Sequence, residues 1–92
     1  MKYDTRAVTT IFYKCKKQIY SSFESHFHNA KITSEDELHI YGTLDIVESE
    51  RLWFALILSF GDDVEIIEPE RIRKRLYEHV KKIMAIFEIP DS

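Results

Sequence analysis

The chain has 92 residues, a net charge of −3 and a pI near 5.8, which is the size of one small domain without the strongly basic balance of a dedicated nucleic-acid-binding domain. A hydrophobic share of 45% with 13% aromatic residues predicts a packed globule and excludes a disordered chain. Cys15 is the one cysteine, so the chain cannot form an internal disulfide. The sequence does not open with an apolar leader, and its longest apolar run covers only 52–58. For these reasons we expect a cytoplasmic protein without a membrane span.

The first part of the chain predicts a strand followed by a short helix. Residues 7–13 (AVTTIFY) are β-branched and aromatic, which is typical of a strand. Cys15, Ile19 and Phe23 recur every four residues, and this spacing predicts one stripe of a helix that ends before His26.

The next segment predicts a β-hairpin. A strand is expected around 30–32, and the acidic residues 35–37 suit a polar turn. The run 37–46 (ELHIYGTLDI) alternates apolar and polar residues, which is the pattern of a half-buried strand. Asp45 and Glu48 have the spacing of a capping box for the helix that follows.

The segment 59–69 (SFGDDVEIIEP) joins two helical patterns through one turn and one strand. Gly61 follows the last apolar residue of a helix over 46–60, where glycine adopts a left-handed closing conformation at the lowest cost. Val64 begins a short β-branched strand, and Pro69 suits the first position of a long terminal helix. The element order β-α-β-β-α-β with an added C-terminal helix predicts an α+β, ferredoxin-like sandwich.

The run 52–73 (LWFALILSFGDDVEIIEPERIR) resembles the C-terminal extension domain of bacterial WYL-domain transcriptional regulators. That family has a helix stop, a short strand, a proline and a helix opening with a Leu-Arg-like pair. The matching positions here are Ser59-Phe60-Gly61, Val64-Glu65-Ile66-Ile67, Pro69 and Ile72-Arg73. The similarity extends more loosely back to about Arg6, so it implies a tail at 1–5 and one ferredoxin-like domain over 6–92.

The resemblance implies a regulatory module without catalysis and without a cofactor. We expect it to dimerise, as a homodimer, and to couple ligand sensing to DNA binding in a longer protein that also contains a WYL barrel and a winged helix-turn-helix domain. The expected ligand is a nucleic acid or a nucleotide, bound through the full protein. On this interpretation the chain is a fragment of the regulator.

Other classes of protein share parts of this pattern. A stand-alone small-molecule sensor of the ACT-like kind, in which paired sheets bind a metabolite, stays open as the alternative. An enzyme is disfavoured because no nucleophile, base and orienting group can be proposed together. An RNA-recognition domain would need a basic-glycine-aromatic pattern on its third strand, which 38–46 lacks. His26 and His28 have zinc-ligand spacing if their segment is extended, but no third ligand is evident, so surface histidines are the plainer interpretation.

The helix predicted over 46–60 carries more apolar residues than one buried face needs. Phe54 and Leu58 form a second stripe, well round the helix from the predicted core sector of Trp53, Leu56, Ile57 and Phe60. Either another helix of the domain covers this stripe, or Phe54 and Leu58 form a partner interface.

The terminal helix has an apolar stripe and, mostly opposite it, a basic face that we expect to be solvated, formed by Arg71, Lys74, Arg75, Lys81 and Lys82. The stripe consists of Ile72, Leu76, Val80, Ile83 and Phe87. Arg73 falls at the edge of this apolar sector. It is either a snorkelling guanidinium paired with a nearby carboxylate, or an anion-binding arginine beside the domain seam. The family resemblance implies the second role, since such regulators sense nucleic-acid or nucleotide-like ligands.

Overall fold

The computed structural model describes residues 7–88. Within that range the chain forms one antiparallel sheet with the strand order β2-β3-β1-β4, and three helices. The strands are β1 (Val8–Lys16), β2 (Lys31–Glu35), β3 (His39–Val47) and β4 (Val64–Glu68), and the helices are α1 (Tyr20–His26), α2 (Leu52–Ser59) and α3 (Glu70–Ile86). This is the predicted α+β, ferredoxin-like fold with an added C-terminal helix. The predicted tail at 1–5 lies outside the described residues, and the domain extent of 6–92 stays a prediction.

One face of the sheet and the helices that cover it form the core. In β1 the residues Ile11, Tyr13 and Cys15 alternate inward and are fully buried, as period-two alternation requires. Helices α1 and α2 cover this face, and α3 adds one buried residue. The other core residues are Tyr20, Phe23, Phe27, Leu44, Ile46, Trp53, Ile57, Val64, Ile66 and Ile72. None of the helices between residues 7 and 88 is long and apolar enough to cross a membrane.

Cys15 lies in a strand, so the predicted helical stripe through Cys15, Ile19 and Phe23 is wrong at its first member. Strand β1 continues to Lys16 because Cys15 pairs with Ile40 of β3. Cys15 fits both periods, since it lies two residues after Tyr13 and four before Ile19, and the cross-strand pairing decides between them.

The predicted capping box is also wrong. Asp45 lies inside β3, and α2 begins later, at Leu52, without a side-chain cap. Glu48 instead accepts a hydrogen bond from the Thr9 hydroxyl and forms an ion pair with Arg71. Its pKa is lowered, first by the Thr9 hydrogen bond and then by the Arg71 charge. Glu48 therefore ties the start of β1 to the first turn of α3.

Gly42 in β3 leaves room for a buried tyrosine. A Cβ atom at Gly42 would lie 1.9 Å from the carbonyl oxygen of Lys31 and 2.4 Å from the hydroxyl oxygen of Tyr13. The Tyr13 hydroxyl is 2.9 Å from the Tyr20 hydroxyl and donates to the Lys31 carbonyl at 3.2 Å. Burial raises the pKa of Tyr13 well above its usual value. The glycine thus allows a hydrogen-bonded aromatic group to cross the core beneath β3.

The junction between α2 and α3 agrees with the sequence prediction to within one residue. Gly61 has φ 61°, the left-handed conformation expected after a helix. Residues Gly61–Asp63 form a 3-10 turn that leads into β4. Pro69 is the residue before the first turn of α3, and Glu70 lies in that turn near the positive end of the helix dipole. The junction therefore sets α3 against β4 without a long loop.

Candidate functional site at the seam between α2 and α3

Helix α3 lies along α2 and β4, and each side of it forms a depression. Ile72 is its one buried residue, and Leu76 and Ile83 are half-buried. On one side lies a groove of about 360 Å³, here called the basic groove, lined by Arg51, Phe54, Arg75, Glu78, His79 and Lys82. On the other side lies a cleft of about 250 Å³, here called the apolar cleft, lined by Ile57, Leu58, Val64, Ile66, Arg73, Leu76, Tyr77 and Val80.

Aromatic contacts hold the basic groove together. The guanidinium carbon of Arg75 lies 4.7 Å from the centre of the Phe54 ring and 5.4 Å from that of Trp53. The His79 ring meets Phe54 edge-on, with ring centres 5.1 Å apart at an interplanar angle of 81°. An arginine on an aromatic face is attracted by the ring quadrupole, so α3 is attached to α2 here through Arg75 and His79.

The basic groove holds more cationic than anionic side chains, Arg51, Arg75 and Lys82 against the single carboxylate of Glu78, whose ion pair is with Lys81. Arg51, Arg75, His79 and Lys82 form no ion pair with any residue in the range 7–88. Arg75 Nη1 donates to the backbone carbonyl of Glu48 at 3.5 Å, which is a neutral acceptor. The groove therefore presents a local excess of positive charge on a chain whose net charge is −3.

Arg73 points to a different environment from that of Arg75. Arg73 Nη1 lies 3.3 Å from Glu65 Oε2 and 3.5 Å from the carbonyl oxygen of Ile67, both on β4. Its side chain is 48% exposed and lines the apolar cleft. The geometry matches a snorkelling guanidinium with a nearby carboxylate, and its role toward an anion stays a prediction.

The two predicted interface residues lie on opposite sides of the seam. Phe54 is in the basic groove and Leu58 is in the apolar cleft, and each is half-buried against α3. The terminal helix thus covers part of the second stripe of α2. The structure brings Leu58 together with Arg73 but separates both from Phe54. Whether Phe54 and Leu58 also contact a partner stays a prediction.

Sequence reasoning missed Arg51, Arg75, His79 and Lys82 as members of one site. Arg75, His79 and Lys82 are spaced at i, i+4 and i+7, which places them on one side of α3. That spacing was available in the sequence. The position of Arg51 was not, because it depends on how α2 packs against α3.

Continuous with the apolar cleft, α3 has an apolar surface that the other residues of the range 7–88 leave exposed. This exposed α3 face consists of Tyr77, Val80, Met84 and Phe87, which are 63%, 40%, 66% and 75% exposed. The four residues lie at i, i+3, i+7 and i+10, so they form one continuous stripe. A contiguous exposed apolar surface of this kind marks an interaction site more often than isolated surface residues do.

The histidine pair does not have the geometry assumed for a zinc site. His26 is the last residue of α1, and its Nδ1 lies 2.9 Å from the carbonyl oxygen of Ser22. The segment around His26 and His28 is therefore not extended, as ligand spacing would have required. Among residues 7–88, no three side chains of His, Cys, Asp or Glu are close enough together to hold a metal ion.

A comparison with family models gives one match. The model described as the WCX domain matches residues 30–84, more than half of the chain, from the start of β2 into the last turns of α3. The WCX domain is the C-terminal extension of WYL-containing regulators. The matched range contains both depressions beside α3. Searches of curated proteins and of solved structures found no match.

Proposed function

This chain belongs to the WCX domain family, and we propose that it is the dimerisation and ligand-sensing module of a WYL-type transcriptional regulator. The module couples ligand binding to a DNA-binding domain elsewhere in the same protein and catalyses no reaction itself. Helix α3 carries the proposal, since one of its sides lines the basic groove and another presents the exposed α3 face.

A second copy of the chain is the partner proposed for the exposed α3 face. Helix α3 has 17 residues, a length of about 25 Å at 1.5 Å per residue. A specific interface needs about 1,000 Å² of total buried surface, so we propose that the exposed α3 face and the adjoining apolar cleft both contribute to the contact. In the isolated module we therefore expect a weak homodimer, and Leu58 contributes to it from the floor of the cleft.

Coupling follows from the way α3 is attached. Ile72 in its first turns is buried, whereas the residues of its last turns are half-buried or exposed. Segments with few buried contacts open at low free energy, so the end of α3 can shift while its start stays fixed. A ligand that binds one position of α3 better than another would then shift the dimer partner as well.

The proposed partners within the longer protein are a WYL barrel and a winged helix-turn-helix domain, and the proposed ligand of the whole regulator is a nucleic acid or nucleotide. Arg73 is proposed to contact that ligand at the seam. Its exposed pair with Glu65 is weak enough to be exchanged for a phosphate oxygen, which suits guanidinium geometry. The family match favours this regulator over a stand-alone ACT-like sensor.

The test uses the intact regulator that contains this chain. Its oligomeric state is measured by sedimentation, and its DNA binding is measured with and without ligand, for the variant Tyr77→Ser/Met84→Ser. We expect a loss of dimer and of the ligand response together. The matched control is Leu38→Ser/Leu52→Ser, which removes two apolar side chains of similar exposure, 69% and 68%, away from α3. A double variant of α3 that dimerises and responds like the wild type would contradict the proposal.

A further inference from the structure

We propose that the basic groove binds the phosphate group of a small ligand. The inference rests on the proposed function to the extent that it gives the ligand-sensing module a second anion site, besides the contact proposed for Arg73, and states the chemical class of its ligand. It differs from the expectation for Arg73, because that arginine lies on the other side of α3 and is paired with Glu65.

Charge is the first reason. Arg51, Arg75 and Lys82 carry three positive charges into a groove that holds one carboxylate, Glu78, and within residues 7–88 the ion pair of Glu78 is with Lys81 and not with these three. The carboxylate of Glu48 accepts the Thr9 hydroxyl and pairs with Arg71, and the charge of Arg75 acts on it more weakly, so the groove keeps a net positive charge. Like charges held together repel one another, and an anion that enters the groove relieves this repulsion. Low-dielectric walls strengthen the local field, so the groove attracts anions although the chain as a whole is acidic.

Geometry is the second reason. The Arg75 guanidinium carbon lies 4.7 Å from the centre of the Phe54 ring and 5.4 Å from that of Trp53, and these contacts with apolar rings leave its N–H donors free of competing acceptors on that side. Among residues 7–88, the acceptor of Arg75 is the carbonyl of Glu48, 3.5 Å from Nη1. A preorganised planar donor loses little entropy when it binds a tetrahedral oxyanion, and a bidentate arginine–phosphate contact is a strong hydrogen-bonded pair.

Chemistry distinguishes phosphate from other anions. Two guanidinium groups and one ammonium group, from α3 and from the residue that precedes α2, line the groove with one carboxylate. Several cationic donors match a group with two charges and several oxygens better than they match a carboxylate. The volume of about 360 Å³ is larger than a phosphate ion needs and lies at the lower end of small-molecule sites. A small phosphorylated compound therefore fits better than an inorganic ion alone.

The first experiment titrates inorganic phosphate into the 92-residue chain and follows backbone amide shifts by NMR at constant ionic strength and pH. We expect saturable binding with a dissociation constant on the order of 1 mM, since few contacts are made. The largest shifts should fall in the turns around Arg51 and Arg75. Chloride and acetate at the same ionic strength should give much smaller changes. Phosphate shifts that do not saturate, or that lie mainly outside the groove, would overturn the proposal.

Charge-matched variants make the test specific. Arg51→Gln and Lys82→Gln should each weaken phosphate binding by about fivefold or more, the loss of a charge-assisted hydrogen bond. Lys74→Gln removes the same charge from the outer side of α3 and should leave binding unchanged. Equal weakening by all three variants would mean that phosphate responds only to net charge. Amide shift dispersion shows that each variant is folded, and Arg75 is left intact because it also packs α3 against α2.

The source of the phosphate is decided by two further titrations. A nucleoside monophosphate should bind in the groove more tightly than inorganic phosphate and lose affinity in the same two variants. A short single-stranded oligonucleotide should bind no more tightly, per phosphate group, than the nucleoside monophosphate does. Binding of the oligonucleotide alone would overturn a small-ligand site. Sedimentation of the same samples separates this inference from the proposed function. The groove variants should still form the dimer. A chain that is strictly monomeric but binds phosphate would contradict the proposed dimerisation and leave the phosphate site standing.

Discussion

The guanidinium carbon of Arg75 lies 4.7 Å from the centre of the Phe54 ring, and this contact fastens α3 to α2. Phe54 was, with Leu58, one of the two residues that the sequence suggested for a partner interface, and Arg75 was one of the basic residues expected to face solvent. Because they contact each other, both residues lie at the seam between α2 and α3 within the domain. An arginine over an aromatic face contributes about 0.5–1 kcal/mol at an exposed site and more where it is desolvated.

A double-mutant cycle should measure this seam directly. We expect Phe54→Leu and Arg75→Met to show a coupling free energy of about 0.5–1 kcal/mol in urea unfolding. Either substitution alone removes the attraction between the cation and the ring, so the second substitution has no such attraction left to remove. The control pair is Phe12→Leu with Arg75→Met. Phe12 lies on the opposite face of the sheet, so its coupling to Arg75 should be near zero. Additive effects of Phe54→Leu and Arg75→Met would show that the contact contributes nothing.

The strands and the junction could be predicted from the sequence because their signals are local. Alternation in β3 placed Leu44 and Ile46 in the core, and glycine chemistry placed the left-handed stop at Gly61. Cys15 was assigned to a helix because a four-residue spacing and a two-residue spacing coincide over a short run. The pairing of Cys15 with Ile40, which no local pattern contains, decides for the strand.

The groove was not predictable from local patterns for a related reason. Arg51 and Arg75 are far apart in sequence, and they line the same groove because α3 packs beside α2. The same packing half-buries Phe54 and Leu58, which read from the sequence as an excess of apolar residues. Periodicity identifies which side of a helix a residue occupies, but not which element covers that side.

The two glycines should differ strongly in their tolerance of alanine. At Gly42 a Cβ atom would lie 1.9 Å from the Lys31 carbonyl oxygen, so backbone or Tyr13 must move, and we expect Gly42→Ala to destabilise the fold by about 3 kcal/mol. At Gly61 nothing lies within 4 Å of the added atom, and only the φ of 61° is unfavourable. Gly61→Ala should then cost about 1 kcal/mol. Chemical denaturation of both variants measures the difference, and a Gly42→Ala protein as stable as the wild type would refute the close approach.

Asp36 should make the stability of the β2–β3 hairpin depend on pH in the acidic range. Its carboxylate accepts hydrogen bonds from the backbone N–H of Leu38, the Tyr41 hydroxyl and the backbone N–H of His39, which lower its pKa from 3.8 to about 2. A lowered pKa means that the folded state holds the proton less tightly than the unfolded state. The stabilisation is therefore complete above pH 3.8 and is lost as the pH falls through about 2.

NMR of the Asp36 carboxyl carbon checks its pKa, and unfolding curves between those two pH values check the linkage. Asp36→Asn should remove this part of the pH dependence, because the amide oxygen accepts the same backbone hydrogen bonds without titrating. A midpoint near the usual aspartate value would contradict the hydrogen-bonded turn.

Cys15 should be inert toward thiol reagents in the folded protein. Burial raises the pKa of its thiol to about 11, and the charge of Asp63 adds to this effect. The thiolate is the reactive form, so both its population and its accessibility are reduced. At pH 8 we expect a disulfide reagent to react with the native chain at least about 100-fold more slowly than with the chain in urea. Rapid labelling in the folded state would place Cys15 outside the core.

In the intact regulator, substitution of Arg73 should change the ligand response without changing the thermal stability. Its pair with Glu65 is exposed on both sides, and surface pairs contribute about 0–1 kcal/mol, so Arg73→Ala should leave the melting temperature nearly unchanged. The same variant should weaken the ligand-dependent change in DNA binding, because a guanidinium at the seam is lost. Glu65→Gln is the matched control, since it breaks the same ion pair but keeps the guanidinium, and it should preserve the response. If Arg73→Ala and Glu65→Gln instead lower the melting temperature alike while the response survives, Arg73 acts as a structural partner of β4 and not as a ligand contact.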